Sequence, residues 1–587
     1  MVVFRLLVLA LSLTFTASLP LYAATSTNDE AELGEKSDEL TPDSILGELT
    51  LDQKIGQMFF FGFKGQEYNF KAKSALKTVR PGGLVVFRKN ISSAEQISNF
   101  NHAAQTDFIE KNTVPVFIAI DQEGGNVTRI KSKPPLPSAL ALGQTNNRDI
   151  VGRMGFYTGT LMKALGFNMN LAPVLDISNP ERPSFIGTRS FSGDPETVSR
   201  MAYAFAQGLQ MAGIVPTLKH YPGHGGPAAD SHKEIPVSTE DLNSLMASHI
   251  KPFSFLTSKL EVPAIMVAHV VYPNIDREPA TYSRILIDDV LRKRLKYDGL
   301  VITDDIDMAG AKKFKDPGEQ AIRAVEAGVD MIMVAWHNSS QTRAFFALKA
   351  AVNSGRVKPE RIDASVRRIL DVKLRYGLFN KPPTPSMKTI NTIFSDPSFK
   401  RAADRVMAAN IERSFQTIQV ERPYPPTQKI NIFGQTPRFF DAFVNGSTSN
   451  CCQYTKLDTL ENLTDKIKAY PDRLNLVYVA GMKTLSIAAR VPNSLAKKLV
   501  LVNTAVPGAI HAPQRYLGVI NIYSPNPNSG EAIAKYLYSE PAPEMREPAS
   551  DDEDDGAAER GQDSASLTKN LTKKPENADG GQHTRSN

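Results

Sequence analysis

Residues 219–236 read KHYPGHGGPAADSHKEIP and hold three of the chain's nine histidines. Three chemistries are open to this segment. His220 and His224 are four apart, a ligand spacing on a helix. Pro222 and Gly223 lie between them and oppose a helix, so a zinc site would have to be built from loop residues. Gly223, Gly225, Gly226 and Pro227 suit a solvated turn. That second reading leaves Asp230-Ser231-His232 unexplained. A carboxylate two residues from a histidine in a tight loop can accept a hydrogen bond from the imidazole. It then sets the tautomer and raises the ring's pKa. His232 would be a general acid that later serves as base.

A second cluster is VITDDIDMAGA at 301–311. An apolar run delivers Asp304 to its end, where a buried acid is costly unless it is paired or used. Such a carboxylate can attack an anomeric carbon while an acid across the bond protonates the leaving oxygen. Asp305 competes for the role, but pleat alternation points it elsewhere, toward supporting contacts or a helix cap.

Positioning these groups needs a frame. Apolar runs recur at 57–63, 82–87, 115–120, 169–175, 214–219, 264–269, 299–303 and 331–336. Each is short and rich in Val, Ile, Leu or Phe, as parallel strands buried on both faces are. Helical patterns separate most of them. Eight strands alternating with helices predict an α/β fold, an N-terminal (β/α)8 TIM-like barrel, with an open doubly wound sheet as the alternative. Barrel active sites form at the C-terminal strand ends. There the chain places Asp121-Gln122-Glu123, Asp176, Lys219-His220, His269 and Asp304-Asp305. Asp363 is expected to cap a closing helix with Val366, Ile369 and Leu370 inward and Gly377 as its stop.

Five motifs in this order resemble glycoside hydrolase family 3, in its bacterial β-N-acetylglucosaminidase branch. They are DQEGGNVTRI (121–130), IGTRSFSGDP (186–195), KHYPGHGGPAADSH (219–232), AHVVYP (268–273) and TDDIDM (303–308). The resemblance is strong over 45–380 and weaker over 428–541, which is similar to the second α/β domain of some members. It implies Asp304 as nucleophile and His232 as acid/base, with Asp230 orienting His232. It implies Asp121, Arg129, Arg189, Lys219 and His220 as the residues that hold the sugar, with no metal and no cofactor. Glu123 and His224 are expected to be structural, and His269 either lines or supports the site. The implied reaction is exo-acting, retaining hydrolysis of terminal β-linked GlcNAc in peptidoglycan fragments or chitooligosaccharides. Alternatives are a phosphorylase, a β-glucosidase, or a wall-binding protein on a degenerate hydrolase fold. Asn126 stands where many members carry a basic residue, and 226–229 is a bland version of the loop, so leaving-group preference is open.

The totals are those of a soluble globular protein. The chain has 587 residues, 41% hydrophobic and 22% charged, with a formal charge of +6. No concentrated basic face points to nucleic acid. Residues 1–23 read as a secretory signal, which implies export to a periplasm or the medium and no stable membrane insertion after removal. The expected order continues with a polar linker (24–42), the catalytic barrel (43–385) and a linker with a helical connector (386–427). A smaller C-terminal α/β sandwich domain (428–541) follows, with strands near 430, 475, 498 and 516, and then a disordered charged tail (542–587). The only cysteines, Cys451 and Cys452, cannot close a long loop; they are expected as two half-buried small residues, with a vicinal or intermolecular bridge as the alternative.

Overall fold

The computed structural model describes residues 40–112, 114–181, 184–224, 231, 234–415, 429–447, 452–510, 512–524, 526 and 528–538. The expected signal (1–23), most of the polar segment before residue 43, the charged tail (542–587), Cys451, and the Asp230 and His232 pair lie outside them. Among the described residues no helix is long and apolar enough to cross a membrane.

All eight apolar runs form strands: β1 (Phe59–Gly62), β2 (Gly83–Val86), β3 (Phe117–Ile120), β4 (Met169–Asn170), β5 (Val215–Tyr221), β6 (Ala264–Val267), β7 (Leu300–Thr303) and β8 (Ile332–Val334). They pair in parallel in sequence order, and β8 pairs β1. β7 and β8 close the barrel through one bridge, Ile302 to Met331: the Thr303 N–H donates to the Met331 carbonyl at 3.0 Å, and the Met331 N–H donates to the Val301 carbonyl at 3.1 Å. The result is a TIM-like barrel. Every residue of β1, β2, β3 and β7 is buried. The sheet faces side chains on the inside and helices on the outside, which is why these runs are apolar without alternation.

The outer helices follow local signals. In the helix Pro195–Met211, Asp194 accepts the Thr197 N–H at 2.8 Å and Pro195 opens the first turn. Its buried face carries Val198, Ala202, Phe205 and Leu209, spaced by four and three. The closing helix is Pro359–Arg375, with Lys358 at its N-cap. Asp363 therefore does not cap it. Pro359 supplies the preorganised first turn, and Asp363 sits inside the helix, paired with Lys54 at 2.8 Å. Gly377 does end it, at φ +64°, with the Leu378 N–H on the Lys373 carbonyl and the Gly377 N–H on the Leu374 carbonyl.

Helices Met387–Phe394 and Pro397–Phe415 lead to a second unit. Its strands are β9 (Ile430–Gly434), β10 (Cys452–Lys456), β11 (Leu474–Val479), β12 (Leu499–Asn503) and β13 (Gly518–Asn521), all parallel in the order β10-β9-β11-β12-β13. Alternate residues feed two cores. Ile430, Ile432, Leu476 and Val502 face the helices Arg438–Gly446 and Ser529–Tyr538; Phe433, Val477, Leu499 and Leu501 face Leu463, Ile467 and Ile487. The four expected strands are present. The unexpected one, β10, is a half-exposed edge with the mixed sequence CQYTK, which lacks an apolar signature. Cys452 is disulfide-bonded, and the chain has one other cysteine. This replaces the expectation of unbridged residues, at Cys452, with the bridged alternative.

The second unit docks on the barrel's rim. Ser138 donates its N–H to Ser524 Oγ at 2.9 Å and its hydroxyl to the Tyr523 carbonyl at 2.7 Å. Val506 and Tyr523 complete the barrel's own hydrophobic core. Gly508 donates to the Pro180 carbonyl at 3.1 Å.

Candidate active site

The strand ends converge on a cavity of about 410 Å³, within the range of small-molecule sites. Asp121, Glu123, Arg129, Arg189, Lys219, His220, His224, Ser231, Asp304 and Asp305 line it. The structure thus brings together Asp121, Arg129, Arg189, Lys219, His220 and Asp304, the described residues that the resemblance implied as nucleophile or sugar-holding groups.

The floor is an ion network. The last residues of β5 carry Lys219, whose side chain is 2% exposed. Its Nζ donates to Asp121 Oδ1 at 2.8 Å and lies 2.7 Å from Glu123 Oε1. Arg189 meets Glu123 through two parallel bonds of 2.8 Å each. Arg129 lies 3.5 Å from Asp121. Burial opposes charge on Glu123, but Arg189 and Lys219 outweigh it and hold its carboxyl well below the usual range. Burial likewise opposes the Lys219 ammonium, and Asp121 and Glu123 raise it instead. A buried network of this kind stands only when every member is paired. Glu123 is the supporting group that the sequence suggested, and it fixes two sugar-binding candidates at once.

His220 is placed by a residue to which the sequence reading gave no role. Asp176, fully buried after β4, accepts from His220 Nδ1 at 2.6 Å and from the His224 N–H at 2.6 Å. This fixes the His220 tautomer and leaves Nε2 as the ring nitrogen not engaged by Asp176. Burial would raise Asp176, but His220 above all brings it down to about 2. The signal was present: an acid directly after an apolar run, as at Asp304. His220 and His224 do not converge on a common point, because their rings cross with centroids 6.1 Å apart and His220 is given to Asp176. Both ring nitrogens of His224 are buried without a hydrogen-bond partner among the described residues, and burial lowers the ring to about 4.

Asp304 follows β7, and its N–H donates to the Val267 carbonyl at 3.0 Å. The carboxylate accepts the Asp305 N–H at 2.8 Å. Burial works against its charge, yet His220, His269, that N–H and Lys219 together hold its carboxyl below the usual range. It is therefore ionised at neutral pH, as a nucleophile must be. His269 supports this turn: Nε2 donates to the Asp305 carbonyl at 3.1 Å, and Nδ1 pairs with Thr281 Oγ1 at 2.7 Å.

Asp305 differs from its neighbour. Oδ1 accepts the N–H groups of Ala335 and Asp307, at 3.0 and 3.1 Å, and Oδ2 is buried without a partner among the described residues. Burial raises its carboxyl to about 7 against those two bonds, with Asp307 and Asp304 adding to the rise. The unfolded chain releases this proton near the ordinary carboxylate pKa, whereas the folded chain keeps it. Stability from this group therefore falls as pH rises from about 4 to 7. Asp305→Asn should remove that loss. In urea unfolding, its stability relative to wild type should rise between about pH 5 and pH 8; a flat difference would mean that Asp305 is ionised throughout.

Asp230 and His232 lie outside the described residues, but their flanks are placed. Tyr272 donates to the Gly223 carbonyl at 2.6 Å, and Gly310 donates to the Ser231 carbonyl at 2.8 Å. Ser231, between the two in sequence, lines the cavity and is tied to the segment that follows the Asp304 turn. On the far side, a side chain at Gly508 would put a Cβ 2.0 Å from the Glu181 carbonyl, in the segment that leads to Arg189. Gly508→Ala should shift that segment and raise KM several-fold with a smaller change in kcat. An unchanged KM would separate the second unit from the site.

The profile of the glycosyl hydrolase family 3 N-terminal domain matches residues 50–372. A beta-hexosaminidase of Pseudomonas aeruginosa is 36% identical over 279 residues, 47% of this chain and 82% of that protein. One from Idiomarina loihiensis is 36% identical over 275 residues, 46% of this chain and 81% of that protein. Among solved structures, a family 3 beta-N-acetylglucosaminidase from Paenibacillus sp. str. FPU-7 matches with a TM-score of 0.73 at 29% identity. It covers 84% of this chain and 97% of that one. The match over residues 50–372, which hold the whole barrel and every described site residue, makes this chain a glycoside hydrolase that belongs to glycosyl hydrolase family 3.

Proposed function

We propose that this protein is an exo-acting, retaining β-N-acetylglucosaminidase that removes terminal β-linked GlcNAc from peptidoglycan fragments or chitooligosaccharides. The observation that carries the reading is Asp304. It is an ionised carboxylate at the end of β7, opening into a cavity floored by Asp121, Arg129, Arg189, Lys219 and His220. These charged donors and acceptors suit the paired hydroxyls of a sugar ring. An Asp304 oxygen attacks C1 as the C1–O bond to the leaving group breaks. The leaving oxygen takes a proton from His232, which Asp230 orients. Water then gives a proton back to His232 and displaces Asp304, with net retention at C1. The relatives named beta-hexosaminidase, and the neighbour described as a beta-N-acetylglucosaminidase, support the choice of sugar. The signal-like first 23 residues make export the expected route.

The test is release of an aryl group from its β-N-acetylglucosaminide and from its β-glucoside, each with and without phosphate. Cleavage of the first alone, independent of phosphate, is expected. A sugar phosphate product would make the protein a phosphorylase, and preference for the glucoside a β-glucosidase. Turnover of neither by folded protein would favour the wall-binding reading.

A further inference from the structure

Above the polar floor, the mouth of the cavity carries a different surface. Trp336, the only tryptophan in the chain, follows β8 and is 44% exposed. Its ring stacks on Phe87, which follows β2, with centroids 4.6 Å apart and planes 26° from parallel. Lys89 Nζ is 4.1 Å from the centre of the indole ring and 5.5 Å from that of Phe87. Were the ammonium across the indole from Phe87, the second distance would approach the sum of the other two. It lies to one side, so neither group covers the second face of the indole.

The platform is braced against the catalytic turn. Asp305 Oδ1 holds the Ala335 N–H, and Asp307 Oδ2 accepts the N–H groups of Trp336 and His337 at 3.2 Å each. On the other side, Asn90 Oδ1 accepts the Phe87 N–H at 3.0 Å, and its amide donates to the Phe63 and Gly65 carbonyls. Two aromatic rings from distant strands are thus held at a fixed place beside Asp304.

Charge distinguishes this surface too. The cavity is lined by five cationic side chains, Arg88, Lys89, Arg129, Arg189 and Lys219. The last three pair with Asp121 or Glu123. Arg88 and Lys89 have no carboxylate partner among the described residues. An exposed aromatic stack offers a face for the C–H surface of a sugar ring, and an adjacent unpaired cation attracts an anion on that ring.

We propose that Trp336, Phe87 and Lys89, with Arg88 beside them, form the leaving-group subsite, and that Lys89 selects leaving groups carrying a carboxylate close to the sugar ring. The assignment rests on the glucosaminidase reading above. With the terminal sugar on the charged floor and its C1 at Asp304, the leaving group emerges through the mouth, where this platform stands.

The test compares two disaccharides that differ by one group: GlcNAc-β-1,4-GlcNAc, and GlcNAc-β-1,4-MurNAc, whose second ring carries a lactyl carboxylate on O3. Wild type should favour the acidic substrate in kcat/KM at low ionic strength, and added salt should shrink the preference. Lys89→Gln should lower the ratio of the two kcat/KM values about fivefold, the upper range for an exposed ion pair. Trp336→Ala should lower both values roughly five- to tenfold through the lost stacking surface. Both side chains are exposed, so neither change threatens folding. A ratio equal in wild type and Lys89→Gln, or a wild-type preference for the neutral disaccharide, overturns the subsite while leaving the glucosaminidase reading intact. Failure of wild type to cleave either disaccharide or the aryl β-N-acetylglucosaminide overturns both.

Discussion

Asp304→Asn is expected to lower kcat for an aryl β-N-acetylglucosaminide by about 10⁴-fold or more, the scale seen when a catalytic nucleophile is removed. The amide has the shape of the carboxylate and keeps an oxygen to accept the Asp305 N–H. It cannot form the glycosyl ester. The floor that holds the sugar, from Asp121 to His220, is untouched, so binding of free GlcNAc by calorimetry should survive. Asp304→Ala adds a sharper readout, because it opens space on the face of the sugar from which Asp304 attacks. Azide entering there should displace the aryl group from that face and give the α-glycosyl azide. Normal turnover by Asp304→Asn would move the nucleophile elsewhere, with Asp305 the next residue to test. Full loss of activity together with loss of GlcNAc binding would instead mean that the carboxylate shapes the site.

Glu123→Ala should destabilise the fold by about 3–5 kcal/mol, the cost of breaking a buried ion pair by removing one partner. Glu123 alone receives both bonds from Arg189, and it shares Lys219 with Asp121. Without it the Arg189 guanidinium keeps no partner in the floor, in a place where its charge is poorly solvated. Its depressed pKa sets the pH window. The stabilisation is fully present above the ordinary carboxylate pKa and is lost as acid protonates the folded-state group. Wild type and Glu123→Ala should therefore differ most near neutral pH in urea unfolding and converge in strong acid. KM should rise as well, because Arg189 and Lys219 lose their fixed positions. A stability loss below about 1 kcal/mol would mean that the network is solvated and behaves as a surface ion pair.

Much of the architecture could be read locally. Parallel strands buried on both faces must be continuous apolar runs, so all eight barrel strands and four of the five in the second unit were visible. The edge strand Cys452–Lys456 was not, because one exposed side lets its sequence stay mixed. Asp363 misled for a related reason. An acid near a helix start resembles a cap, but the cap depends on where the helix begins, and Pro359 starts it a turn earlier.

The chemistry divides in the same way. Residue type and position at a strand end are local properties, so the sequence alone determined that Asp121, Lys219, His220 and Asp304 would meet at one rim. Which of them pair was decided only by the tertiary structure. Lys219 falls between Asp121 and Glu123, Asp176 takes His220, and Phe87 meets Trp336, because barrel closure and strand stagger bring together loops remote in sequence. Docking of the second unit against the Pro180–Glu181 segment has the same origin. Each strand carries the pattern that buries it, but a distance between two strand ends belongs to neither strand.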